Sequence, residues 1–300
     1  MIYPDNFEQK IGFNEIRNML RERCLSTLGK EQVEKMAFSD DAEQVNEWLK
    51  QVREFRRLIL EVEDFPLQYF YDVRESIVRI RIENTHLEEN ELFDLRRSLS
   101  TIDSIVKILN HSDEDESHAE ENDGWRREKK YTYPSLHLLA KDIVTFPQIV
   151  QRIDQILDKF GKIRDNATPE LLQIRRELAK TEGSISRTLY SILRSAQSEG
   201  VVEKDVTPTL RDGRLVIPVI PTLKKKIKGI VHDESATGKT VFIEPTEVVE
   251  ANNRVRELEG EERKEIIRIL TQFTNKLRPY TREIMDSYRF LAKIDLIQAK

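Results

Sequence analysis

The chain has 300 residues, of which 34% are charged, with ten glycines, ten prolines and a formal net charge of −5 at pH 7. This fits a helix-rich globular protein of about two domains; the acidic balance excludes a chain that is basic throughout, so any surface for a polyanion must be local. Cys24 is the single cysteine, which excludes an internal disulfide and predicts a cytoplasmic protein, and the absence of a basic, then apolar leader or of a ~20-residue apolar run predicts no signal peptide and no membrane partner.

The first part reads as short helices. Phe13, Ile16, Met19 and Leu20 recur at helical spacing, and Leu28-Gly29 is expected to end that helix. A second helix is expected from Ser39-Asp40 to Phe65-Pro66, with Val45, Trp48, Leu49, Val52, Phe55 and Ile59 on its inner face. A third covers about Asp72 to Ile82. A fourth runs from about Leu87 to Leu109, with Leu92, Leu95, Leu99, Ile102, Ile105 and Val106 inward. Residues 111–130 carry an acidic run with no apolar periodicity and are expected to form a mobile loop. A calcium loop fails on spacing, because starting at Asp113 the required glycine falls on His118 and the bidentate glutamate on Gly124. Helix resumes near Pro147 and ends at Phe160-Gly161.

Thr168-Pro169-Glu170 then starts a much longer helix, with a hydroxyl cap, a proline in the first turn and an acid at the positive end of the dipole. Leu171, Ile174, Leu178, Ile185, Leu189, Ile192 and Leu193 carry it to Gly200, about 46 Å at 1.5 Å per residue. A second helix of matched length starts near Thr246 and reaches Pro279, which interrupts it. If the two run antiparallel, residues 201–245 form the tip of an arm. Beyond Pro279 the helical pattern continues through Ile284, Tyr288, Leu291, Ile294 and Ile297 to Lys300 without a capping glycine or proline, which predicts a longer functional protein.

The tip has β character. Leu210, the run Leu215 to Ile220, Ile230-Val231 and Val241 to Ile243 are candidate strands, and Asp212-Gly213 is a hairpin turn. Between residues 204 and 228 seven basic residues stand against two acidic ones, reversing the sign of the whole chain. Basic residues on such a tip gain by releasing counterions from a phosphate backbone, without reading sequence. The candidate contacts are Arg211, Arg214, Lys224, Lys225, Lys226, Lys228 and Lys239. Phe242 is the one aromatic residue in the tip, so duplex backbone is expected over stacked single-strand bases.

Catalytic signals are absent. Thr237-Gly238-Lys239-Thr240 resembles the end of a phosphate-binding loop, but Asp233 stands where the first glycine belongs, and Val241-Phe242-Ile243 reads as a strand where a helix is required. Gly238-Lys239 is instead a turn between strands. The five histidines form no metal-ligand pair, and His232-Asp233-Glu234 reads as turn chemistry and surface hydrogen bonding. On its residues this chain is not an enzyme and holds no cofactor or metal.

The segments Asp212-Gly213-Arg214-Leu215-Val216-Ile217-Pro218-Val219, Gly229 to Gly238, Phe242-Ile243-Glu244-Pro245 and Glu250-Ala251-Asn252-Asn253, with Ile11-Gly12-Phe13 and Thr27-Leu28-Gly29-Lys30-Glu31, resemble the bacterial MutS paralogue family that lacks a mismatch-recognition domain (MutS-II type). The resemblance spans nearly the whole chain. It implies a mainly α fold with a small β insertion: a helical core (1–165), a lever helix out (166–200), a small antiparallel β clamp (201–245), a lever helix back (246–278) and a return to the core (279–300). It also implies an ATPase domain beyond Lys300, with ATP and Mg as cofactors and homodimerisation through that domain, and in many members a nuclease domain. The implied partner is branched or duplex DNA, in suppression of homologous recombination; the alternative is a ribosome, in a factor that splits collided ribosomes. Gly238, Lys239 and Thr240 do not match the family's ATP site.

Overall fold

The structure, a computed structural model, describes residues 6–67, 70–112 and 130–300. The acidic run considered above as a loop or calcium site lies, over 113–129, outside the described residues. In chain order the helices are α1 (Phe7–Lys10), α2 (Phe13–Arg23), α3 (Thr27–Glu34), α4 (Ala42–Glu61), α5 (Arg74–Arg79), α6 (Glu89–Leu109), α7 (Pro134–Ala140), α8 (Pro147–Ile156) and α9 (Pro169–Ser198). Strands β1 (Thr209–Arg211), β2 (Arg214–Val219), β3 (Gly229–Glu234) and β4 (Val241–Pro245) follow, then α10 (Val249–Leu277) and α11 (Thr281–Ala299). The protein is mainly α with a small β insertion. It divides into two compact units: residues 1–162 with 270–300, and residues 163–269.

The first unit is helix packed on helix. α6 buries Leu92, Leu95, Leu99, Ile102, Ile105, Val106 and Leu109, the stripe its periodicity predicts. Helix α11 is buried at Ile284, Tyr288, Leu291 and Ile294. Asp295, on the same helix and fully buried, accepts hydrogen bonds from the backbone N–H groups of Leu25 (2.9 Å) and Ser26 (3.0 Å) and from the Ser26 hydroxyl (2.5 Å). Ser26 in turn accepts from Gly29 N (3.0 Å) and caps α3. Leu28-Gly29 therefore lies in the first turn of a new helix, not at the end of the previous one, which stops at Arg23. Beside this cap, burial and the Asp295 charge push the Cys24 thiol up to about 11.

The expected inner face of α4 is rotated. Its buried positions are Gln51, Phe55 and Leu58, while Trp48, Leu49 and Ile59 are 40–50% exposed. The helix starts at the Asp41 cap, whose carboxylate accepts from Glu43 N and Gln44 N, and Glu54 receives the first amides of α7, Ser135 N and Leu136 N. That polar contact turns the 51–55–58 edge inward. Between α10 and α11, Pro279 sits in a 3₁₀ turn (Arg278–Tyr280), as a proline without a donor requires.

The second unit is a four-stranded antiparallel sheet, in the order β1–β2–β4–β3, laid on a helix pair. Helices α9 and α10 hold 30 and 29 residues, about 45 Å each. Thr168 caps α9 by accepting from Leu171 N (3.1 Å) and donates to Glu265 (2.7 Å). Ion pairs then join Glu170 to Arg268, Arg175 to Glu262 (2.7 Å) and Glu177 to Arg254 (2.9 Å). The partner number falls as the α9 number rises, so the helices are antiparallel. The core beneath the sheet joins Ile185, Leu189 and Leu193 of α9 to Ile217 and Val219 of β2 and Val241 and Ile243 of β4.

Candidate nucleic-acid interface

The sheet is built by local signals that fix its register. Asp212 (φ 48°) and Gly213 (φ 72°) form the two-residue turn of the β1–β2 hairpin, in which Arg211 lies opposite Arg214 and Leu210 opposite Leu215. Pro218 lies within β2, opposite Phe242. Thr246 N donates to Lys228 O, so even-numbered residues of β4 turn their backbone toward β3 and odd-numbered ones toward β2. The missing donor of Pro218 therefore faces the β1 side, where β1 has already ended at Thr209. Gly229 packs so closely on β4 that a Cβ there would lie 2.1 Å from the carbonyl oxygen of Glu244.

A polar joint holds this sheet to α10. Where β4 leaves β2, the Asn252 side chain takes the place of a strand residue, accepting from Leu215 N (3.4 Å) and donating to Leu215 O (3.3 Å). Asn252 also donates to Glu244 (2.7 Å), whose side chain is fully buried and is met by Arg214 (2.7 Å) and His232 Nε2 (2.5 Å). Burial alone would raise the Glu244 carboxyl. The bonds from His232, Asn252 and Arg214, with the Arg214 charge, hold it below its ordinary value. His232 thus serves a carboxylate twelve residues away, a role that adjacency in sequence does not reveal.

The seven candidate contacts separate in this frame. Arg214 is 15% exposed and its guanidinium is held by Glu244 and by Asn253 (2.7 Å), so its charge is neutralised inside the unit. Arg211 lies over the Phe242 ring (4.2 Å to the centroid) and 3.8 Å from Asp233. Lys224, Lys225, Lys226, Lys228 and Lys239 are exposed, and among the described residues none has a carboxylate within 4.0 Å. Lys224 to Lys226 end a 3₁₀ turn (Pro221–Lys226). In that geometry residues three apart eclipse, so Lys226 shares the side of Leu223, which packs against the core, whereas Lys224 shares that of half-buried Pro221 and Lys225 that of exposed Thr222. Lys226 and Lys228 accordingly line a crevice of about 310 Å³ with Glu199 and Glu247.

Lys239 occupies the β3–β4 turn, at the end of the sheet where Val219 meets Val241, and Lys228 lies at the other end, beside Thr246. The 220–228 crossing thus runs the length of β4, about 17 Å. Across the wider tip, 201–245, eight basic residues face six acidic ones, so the positive surface is this crossing and not the whole sheet. The turn around Gly238 (φ 64°) joins two strands, with no helix to receive a phosphate. No group of three metal-ligating side chains occurs among the described residues, and no helix among them is long and apolar enough to cross a membrane.

Comparison with known proteins gives these features a context. No family model matches the chain. It is 33% identical over 288 residues to a protein named endonuclease MutS2 from Geobacillus sp. (strain WCH70), covering 96% of this chain and 35% of that protein. It is 34% identical over 288 residues to endonuclease MutS2 of Levilactobacillus brevis, covering 96% of this chain and 34% of the relative. To that of Enterococcus faecalis it is 29% identical over 290 residues, covering 97% and 35%. The chain spans about a third of the length of these relatives, and along nearly all of its own length it is a relative of MutS-type proteins.

Proposed function

We propose that the chain is the core, lever and clamp part of a longer MutS-like ATPase that acts on branched or recombining DNA, with residues 163–269 forming the nucleic-acid-contacting part. The observation that carries this reading is the similarity over 288 residues to proteins named endonuclease MutS2. The unpaired lysines of the 220–228 crossing support the contact itself. Lys224 and Lys225 touch phosphates first, Lys226, Lys228 and Lys239 extend the contact, and Arg211 lies at its rim. Arg214 acts through Glu244, as a residue that shapes the surface. Flexible ammonium groups gain by counterion release and read no bases, so affinity follows the number of phosphates within reach, which a junction multiplies. In this reading the rest of the longer protein holds ATP and magnesium, supplies the dimer contact and carries any nuclease activity.

The test is binding of the chain to a four-way junction and to a duplex of the same sequence across a salt series. Lys224→Glu with Lys225→Glu is expected to weaken both and to lower the salt slope by about one per lost contact. Arg214→Lys is expected to leave the slope unchanged. Equal affinity and slope in the charge-reversed variant overturn the assignment. Tighter binding to ribosomes than to the junction replaces DNA with ribosomal RNA as the target.

A further inference from the structure

Among the described residues strand β3 pairs only with β4, so one edge of the sheet is open there along six residues, whereas the opposite edge, β1, has three. With the backbone of Lys228 turned toward β4, the N–H and C=O groups of Gly229 and Val231 point outward, away from the sheet. The side chains there are apolar and open to solvent: Ile230 is 49% exposed and Val231 43%. An irregularity between Val231 and Asp233 inserts His232, which returns Asp233 to the face that carries Lys228 and Ile230, since Asp233 pairs with Phe242 and Ile230 with Glu244.

The edge therefore reads as cation, apolar pair, anion along one strand, and that order is complementary to its own reverse. We propose that β3 pairs antiparallel with β3 of a second copy of this chain, centred on Ile230. In that register Ile230 faces its twin, Gly229 and Val231 exchange backbone hydrogen bonds, and Lys228 of each copy lies beside Asp233 of the other. The alternative register, centred on Val231, leaves Lys228 opposite Ser235 and pairs no opposite charges. Charge order thus selects both the occupant and the alignment. Asp233 accepts a hydrogen bond from Glu234 N (2.8 Å) through Oδ1, while its Oδ2 lies 3.8 Å from Arg211 and both side chains are about half exposed, which leaves the carboxylate within reach of this contact. The β1 edge, Thr209-Leu210-Arg211, has no acid to answer its arginine.

Two independent measurements on the full 300-residue chain, without nucleic acid, test the pairing. In the first, Ile230→Cys is oxidised. Facing residues at a non-hydrogen-bonded site are about 4.5 Å apart at Cα, within reach of a disulfide, so a covalent dimer is expected to form faster than with Leu210→Cys on the other edge; buried Cys24 serves as background in the unsubstituted chain. In the second, sedimentation over a concentration series compares Lys228→Asp, Asp233→Lys and the double variant. Each single change is expected to weaken self-association about tenfold, since each disturbs two symmetric pairs, and the double change to restore it. Equal crosslinking at Leu210→Cys overturns the proposal. So does a chain that stays monomeric throughout the series, or a double variant no better than the singles.

Discussion

The two units solve the same burial problem with different means. In the first, α6 and α11 lie among other helices, and the side chains at their centre, Leu95, Ile105, Ile294 and Leu291, are fully buried. In the second, apolar burial is concentrated where the sheet covers the C-terminal half of α9, from Ile185 to Ala196, together with Val248 just before α10 and Val255 in its second turn. Along the rest of the helix pair Leu171, Leu258 and Ile269 form a narrow buried stripe, flanked by the Arg175–Glu262 and Arg254–Glu177 pairs. A pair of helices without a third layer can bury only one stripe. Apolar packing then supplies less of the stability, and charge order selects which residues face each other.

That contrast can be broken from either side. Leu99→Ala, in the fully covered α6, is expected to cost about 3.5 kcal/mol in urea unfolding, because the surrounding helices cannot collapse into the cavity. Glu244→Ala removes the acid at the centre of the polar joint and leaves Arg214 unpaired, at about 3 kcal/mol, read from hydrogen exchange in β2 and β4. Thr168→Ala loses both the α9 cap and the bond to Glu265, about 1.5 kcal/mol. Acid sharpens the comparison further. Glu244 has a folded value held below its ordinary 4.5, so its contribution is complete above that value and is lost as the pH falls through the lowered one. Glu244→Gln is expected to flatten the acid limb seen by a probe in the sheet and to leave that of α6 as it is. The smallest effect is expected for Arg254→Ala, a solvent-exposed arginine shared among Glu177, Glu257 and Glu261 whose contacts salt already screens: melting should barely move, and added salt should erase even that.

Much of this architecture is legible in the residues. The stripe of α6, the Thr168-Pro169-Glu170 start of α9, the Asp212-Gly213 hairpin and the strand after Lys239 all rest on local rules, and local rules need no partner to act. What escaped was decided at a distance. The inner face of α4 follows Glu54 reaching the start of α7, and the place of Leu28-Gly29 follows Asp295, some 270 residues later. In the sequence Arg214 groups with the exposed lysines, because a basic residue in a basic window carries no sign of burial. The available signal was Glu244, an acid between Ile243 and Pro245 in an otherwise apolar strand, since a buried carboxylate demands a cation. His232 and Asn252 could be assigned only once that acid was placed.

The bond between Asp295 and the start of α3 also orders events in time. The first unit is discontinuous in sequence, and its last helix is synthesised after residues 163–269 are complete. During translation α3 emerges without the carboxylate that anchors its Ser26 cap and without α11, the helix it packs against. Residues 163–269, contiguous and with a two-residue hairpin among their strands, can gather their own core first. The helices made earliest are thus the last to be sealed, and until then the ribosome-bound chain shows its greasiest surfaces to chaperones.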